Sequence, residues 1–153
     1  MTIQDVKQIL SDNGLAFDQT SEAGMEILWL RGPNGHKDIE LYFLEEEGVF
    51  QFDEMSFGDW GQLYADSPRA LLGAIEEIMS GGVCILHTTD LKTGCCVHSR
   101  LYRMGGEECE REELLSDVRR IEERDMANPY TALVHGNKKH EIYDWNDYRV
   151  ILK

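Results

Sequence analysis

Lysine and arginine are scarce in this chain of 153 residues: fifteen stand against 29 aspartates and glutamates, a formal charge of −14. A surface of that sign repels nucleic-acid phosphates and anionic lipid headgroups, so the sequence predicts neither a nucleic-acid binder nor a membrane-surface protein. Long hydrophobic runs are also missing. No stretch approaches the roughly 18 apolar residues that span a bilayer, and Met1-Thr2-Ile3-Gln4-Asp5 lacks the basic region and apolar stretch of a signal peptide. Cysteine is sparse as well. Cys84, Cys95, Cys96 and Cys109 form no C-x-x-C pair and no dense framework, which points to reduced thiols and a cytoplasmic location. Three prolines leave little to interrupt regular structure.

Catalytic signatures are absent too. The chain contains no nucleophile elbow, phosphate-binding loop, dinucleotide fingerprint or H-E-x-x-H motif, and this favours a binding protein over an enzyme. No cofactor is expected.

What is present describes a globular domain, with 42% hydrophobic and 29% charged residues. Thr2 with Asp5 resembles a capping box, and Ile3, Val6, Ile9 and Leu10 share a helical face up to Asn13-Gly14, so a helix is expected over 3–13. Met25–Leu30 and Asp38–Leu44 flank a turn-forming Arg31–Gly35 and read as a hairpin, with Ile39, Leu41 and Phe43 toward the core. Val49–Glu54 reads as a third strand of the same meander, with Phe50 and Phe52 on one face. Ser67-Pro68 opens a second helix through Met79, and Gly81-Gly82 ends it.

Val83–Thr89 and Cys95–Arg103 form a second expected hairpin, with Gly94 at a left-handed turn position. A third helix is expected over 107–125 with Leu114, Leu115, Val118 and Ile121 inward. Short strands over Tyr130–Val134, His140–Trp145 and Tyr148–Leu152 complete the chain. Two hairpins without regular β-α-β alternation imply a single α+β domain, residues 1–153, with a mainly antiparallel sheet and about three helices packed on it.

Charge and aromatic residues concentrate together. Between Asp38 and Pro68 there are nine acidic residues and no lysine or arginine, and seven of the chain's fourteen aromatics fall in the same span. Carboxylates steer a basic partner toward a surface, and aromatic residues anchor it there. The strand phenylalanines Phe43, Phe50 and Phe52 read as core. Met55–Tyr64 is too interrupted by glycine for a strand, so Phe57, Trp60 and Tyr64 on that irregular segment, flanked by Asp53, Glu54 and Asp59, are the expected partner-binding residues. The resulting expectation is a non-enzymatic protein that binds a basic protein, as an immunity protein or antitoxin does. A small acidic secretion-type chaperone, which would dimerise, is the alternative.

Three further constellations carry other chemistry. Cys84, His87, Cys96 and His98 lie on facing strands of one hairpin and are of zinc-ligand type, but strict alternation separates Cys84 from His87 and leaves Cys96 with His98, so no metal site is expected. Cys95 or Cys96 with His87, His98, His135 or His140 as base would make a small thiol enzyme. The acidic groups Asp53-Glu54 with Asp59, and Asp144-Trp145-Asn146-Asp147, lack EF-hand spacing and read as solvated turns.

Overall fold

The computed structural model describes residues 2–33, 38–44, 47–52, 62–63, 67–107, 109–127 and 136–152. Contacts gather the chain into two compact units, Met1–Ser80 and Gly81–Lys153. Among the described residues the architecture is α+β, built from antiparallel strands and three helices. The strands divide between two sheets rather than extending one.

The first unit opens with α1 (Ile3–Asp12), whose capping box is complete: Thr2 Oγ1 accepts from Asp5 N at 3.2 Å, and Thr2 N donates to Asp5 Oδ2 at 2.8 Å. Val6 and Leu10 are its fully buried positions. A five-stranded sheet follows, in the order β1 (Asp18–Glu22), β2 (Met25–Leu30), β3 (Ile39–Leu44), β4 (Glu47–Phe52) and β5 (Gln62–Leu63). The expected hairpin pairs as β2 with β3, Leu30 opposite Ile39 and Leu28 opposite Leu41. Ile39, Leu41 and Phe43 are buried as alternation requires. α2 (Pro68–Met79) begins at Ser67, whose hydroxyl caps Ala70 N, and buries Leu71, Ile75 and Ile78.

β1 was not expected, because Asp18-Gln19-Thr20-Ser21-Glu22 has no apolar alternation. The hairpin to β2 is instead closed by Ala23 and Gly24, both at positive φ (49° and 82°), the primed turn that suits the twist of two strands. All five β1 residues are exposed.

The second unit is a four-stranded sheet in the order β7 (Cys96–Arg103), β6 (Val83–Asp90), β8 (Lys138–Tyr143) and β9 (Tyr148–Leu152). Leu114 and Val118 of α3 (Arg111–Ala127) pack with Cys84, Leu86, Tyr102 and Ile142. α3 starts later than its composition suggests, because Glu110 N is bonded to Arg103 O while Glu110 O receives Leu114 N, which makes Glu110 the helix boundary. Leu115 does not face inward: it is 47% exposed, since the buried stripe runs through Leu114 and Val118 and a neighbour of Leu114 is turned about 100° away. The strand expected over Tyr130–Val134 lies outside the described residues. No helix among the described residues is long and apolar enough to cross a membrane.

Candidate functional site

The acidic excess belongs to one unit. Residues 1–80 contain sixteen acidic and four basic residues, a net −12, whereas residues 81–153 contain thirteen and eleven, a net −2. Four cations cannot neutralise sixteen carboxylates, so the first unit carries the negative field of the chain.

Its best-defined polar surface surrounds β1 and β2. Arg31 stacks over the Trp29 ring at 4.7 Å and bonds Asp18 at 3.1 Å and Asp38 at 3.0 Å, while Asp38 also caps Gly32 N at 2.8 Å. Trp29 Nε1 donates to Thr20 Oγ1 at 2.8 Å. Ala16, Phe17, Asp18, Trp29 and Arg31 enclose a cleft of about 160 Å³ beside the start of β1. On the other face of β1, Ser21 Oγ and Gln19 Nε2 donate to Glu26, and these bonds hold the Glu26 carboxyl below its ordinary range, so it stays ionised. Tyr42 donates to the buried Glu40 on β3.

The expected partner-binding residues Asp53, Glu54, Phe57, Asp59, Trp60 and Tyr64 lie outside the described residues. The described residues of the acidic span are those of β3, β4 and β5, with Asp38, Ser67 and Pro68. Sequence reasoning missed Asp18, Glu22 and the Phe17–Trp29 cleft. The signal for them was the two-residue spacing of Ala23-Gly24 before an apolar run.

The histidines and cysteines of the second unit arrange themselves differently from strict alternation. Thr88 pairs with His98 but Thr89 pairs with Cys96, so Val97 is an extra residue in β7. The bulge moves Cys96 to the face of His87, with Sγ 3.6 Å from Nδ1, and leaves His98 with Cys84 on the other face. The expectation that Cys96 and His98 share a face is therefore corrected. Among the described residues no three His, Cys, Asp or Glu side chains form a group able to hold a metal ion. Burial pushes the Cys96 thiol up and carries Cys84 to about 12, the latter with help from Asp144. Neither thiol is shifted toward the thiolate. His135 lies outside the described residues.

Two hydrogen-bonded chains run between this sheet and α3. Asp117 accepts from Tyr102 Oη at 2.6 Å, so His98 Nε2, 3.0 Å from the same oxygen, must be the donor to it. Burial would raise Asp117, but the Tyr102 bond and Arg120 outweigh it and hold the carboxyl low. His140 Nε2 faces Glu122 Oε1 at 3.1 Å and Nδ1 faces Thr88 Oγ1 at 2.8 Å. A Thr-His-Glu order resembles a catalytic triad, yet Thr88 and His140 are both fully buried, so no substrate reaches the hydroxyl and the chain of bonds serves the core.

A second cleft, of about 250 Å³, lies among Cys84, Met104, Arg111, Ile142, Asp144 and Arg149. Asp144 Oδ1 is engaged by Asn146 N and Asp147 N, so that end is a turn held by its own carboxylate.

Comparison with protein-family models gives no match for this chain. Neither the curated proteins nor the solved structures give a significant match.

Proposed function

We propose that this chain is a non-enzymatic binding protein whose 1–80 unit engages the basic surface of a partner protein, in the manner of an immunity or antitoxin-type inhibitor. The observation that carries the reading is the segregation of charge: twelve of the fourteen net negative charges belong to that unit. Acidic fields of this kind raise association rates with a cationic partner and suppress wrong partners. The raised thiol of Cys96 supports binding over catalysis by that cysteine. Asp53, Glu54 and Asp59 steer the partner, and Phe57, Trp60 and Tyr64 anchor it.

The test is kinetic. A partner is first recovered by chemical cross-linking and mass spectrometry, and its association is then followed at several salt concentrations. Replacing Asp53, Glu54 and Asp59 by their amides slows association and flattens its salt dependence, because exposed charges act over about 10 Å at 0.1 M salt. Trp60→Ala mainly speeds dissociation, by on the order of 2 kcal/mol. The control is Glu112 and Glu113 to Gln on α3. A control that weakens binding as much as the acidic set would sink the localised site.

A further inference from the structure

We infer that the partner enters this unit as an added β-strand, pairing its extended, basic segment with the open edge of β1. This rests on the basic-partner reading and adds to it a contact at β1, separate in sequence from the 53–64 segment.

The edge is defined by register. Glu22 and Met25 close the two-residue Ala23-Gly24 loop, and the pair that closes such a loop exchanges both backbone hydrogen bonds. Alternation along an antiparallel ladder then assigns Thr20↔Ile27 and Asp18↔Trp29 to bonded pairs. Gln19 and Ser21 fall between them, so their N–H and C=O groups point away from β2. No strand among the described residues pairs with β1 on that side, and all five of its residues are exposed. Four backbone groups of Gln19 and Ser21 are therefore presented in strand geometry, ready for the main-chain bonds of strand addition.

This edge is guarded only by acidic charge. Natural edges are guarded by charged side chains, lysine above all, by proline or by bulges, and the charged residues of β1 are Asp18 and Glu22. β1 has no lysine or proline, and its register with β2 is continuous. β5 is two residues long, and β7 and β9 belong to the unit of net −2. Among the sheet edges of the described residues, β1 alone combines length, exposure and the acidic field.

Charge chooses the occupant. Asp18 and Glu22 lie on one face of β1, and the ionised Glu26 lies beside Gln19 and Ser21 on the other, so either face of an added strand meets carboxylates. A second copy of this chain would set Asp18 and Glu22 against the same residues across the new ladder, which is destabilising. Lysine or arginine side chains pair there instead. At the Asp18 end the cleft lined by Phe17 and Trp29 accepts an apolar side chain from the incoming strand, the kind of pocket that gives strand addition its specificity.

The experiment uses displayed ten-residue peptides selected against the full-length protein. The selected peptides are expected to carry net positive charge and to protect the Gln19 and Ser21 amides from hydrogen exchange. The amides of Asp18, Thr20 and Glu22, already bonded to β2, should change little. A Gln19→Pro, Ser21→Pro variant removes two donors that face solvent, a placement that edge strands tolerate, and should weaken the peptides at least tenfold. Should that variant fail to fold, exchange in the wild-type protein decides. Basic peptides that leave Gln19 and Ser21 unprotected would overturn strand addition while preserving the basic-partner reading. Neutral peptides that protect them would do the reverse. Dimerisation that protects Gln19 and Ser21 without any peptide, or failure to select a peptide, would also overturn the proposal.

Discussion

Asp90 and Lys138 form a buried ion pair across β6 and β8, Nζ to Oδ2 2.9 Å, with the Asp90 side chain fully covered and that of Lys138 5% exposed. The same carboxylate accepts from the backbone N–H of Lys92, Thr93 and Gly136, so one side chain ties the 91–94 turn to the entry of β8. Burial raises the Asp90 carboxyl, but the Lys138 bond and the backbone donors outweigh it and hold it well below the ordinary carboxylate range.

Removing one partner of such a pair leaves the other charge buried. Lys138→Met is expected to cost about 3 kcal/mol, the low end for a buried pair, since three backbone donors remain on Asp90 and an exposed turn lies beside it. Amide exchange of β6 and β8 against denaturant measures the loss. With its pKa depressed in the fold, Asp90 contributes stability that is present above pH 4 and is lost as pH falls through the folded value. Lys138→Met should move that loss to higher pH.

Gly136 is required by its neighbour rather than by its own φ. A Cβ there would stand 2.7 Å from Lys92 Cβ and 3.3 Å from Lys92 N, atoms held by the Asp90 turn. Gly136→Ala should cost about 2 kcal/mol by separating Gly136 N from Asp90. Gly105→Ala, with nothing within 4 Å of the added methyl, is the control and should be close to neutral.

His98 supplies a pH dependence of known sign. Burial lowers its pKa below 6.5, Asp117 partly opposes this, and Arg120 and Arg100 add to it. The unfolded chain therefore binds more protons between the folded and unfolded values, so the 81–153 unit loses stability as pH falls below about 6.5. His98→Gln should flatten that slope, and an NMR titration should place the His98 midpoint below the ordinary value. Tyr102→Phe removes the acceptor of His98 Nε2 and a donor to Asp117, and should cost about 1–2 kcal/mol.

Thiol reactivity should follow burial. Cys84, carried to about 12, is expected to resist iodoacetamide at pH 7 until the protein unfolds, and Cys96 to react more slowly than a free thiol. Cys96→Ser should leave partner binding unchanged. Loss of binding or of an activity with folding intact would restore the Cys96–His87 pair as a catalytic candidate.

Local chemistry was readable in the sequence wherever a few neighbouring residues decide the outcome. Thr2 and Asp5 cap α1 because both partners of the box lie within one turn. Ser67-Pro68 opens α2 for the same reason, and Gly94 takes its left-handed turn at φ 74° because a residue without Cβ does so without strain. The alternation of Ile39, Leu41 and Phe43 declared a buried face, and the count of acidic residues declared a field. Tertiary structure decided the rest. β1 has no hydrophobic pattern, because an edge strand exposed along its length needs none and is held by its hairpin to β2. The extra residue at Val97 appears only when β7 is laid against β6, and that pairing sent Cys96 to His87 instead of leaving it with His98. Likewise the charges could be counted along the chain, but the place where contacts divide it, after Ser80, assigned nearly all of the negative excess to one unit, because partition into cores depends on long-range packing that no local window contains.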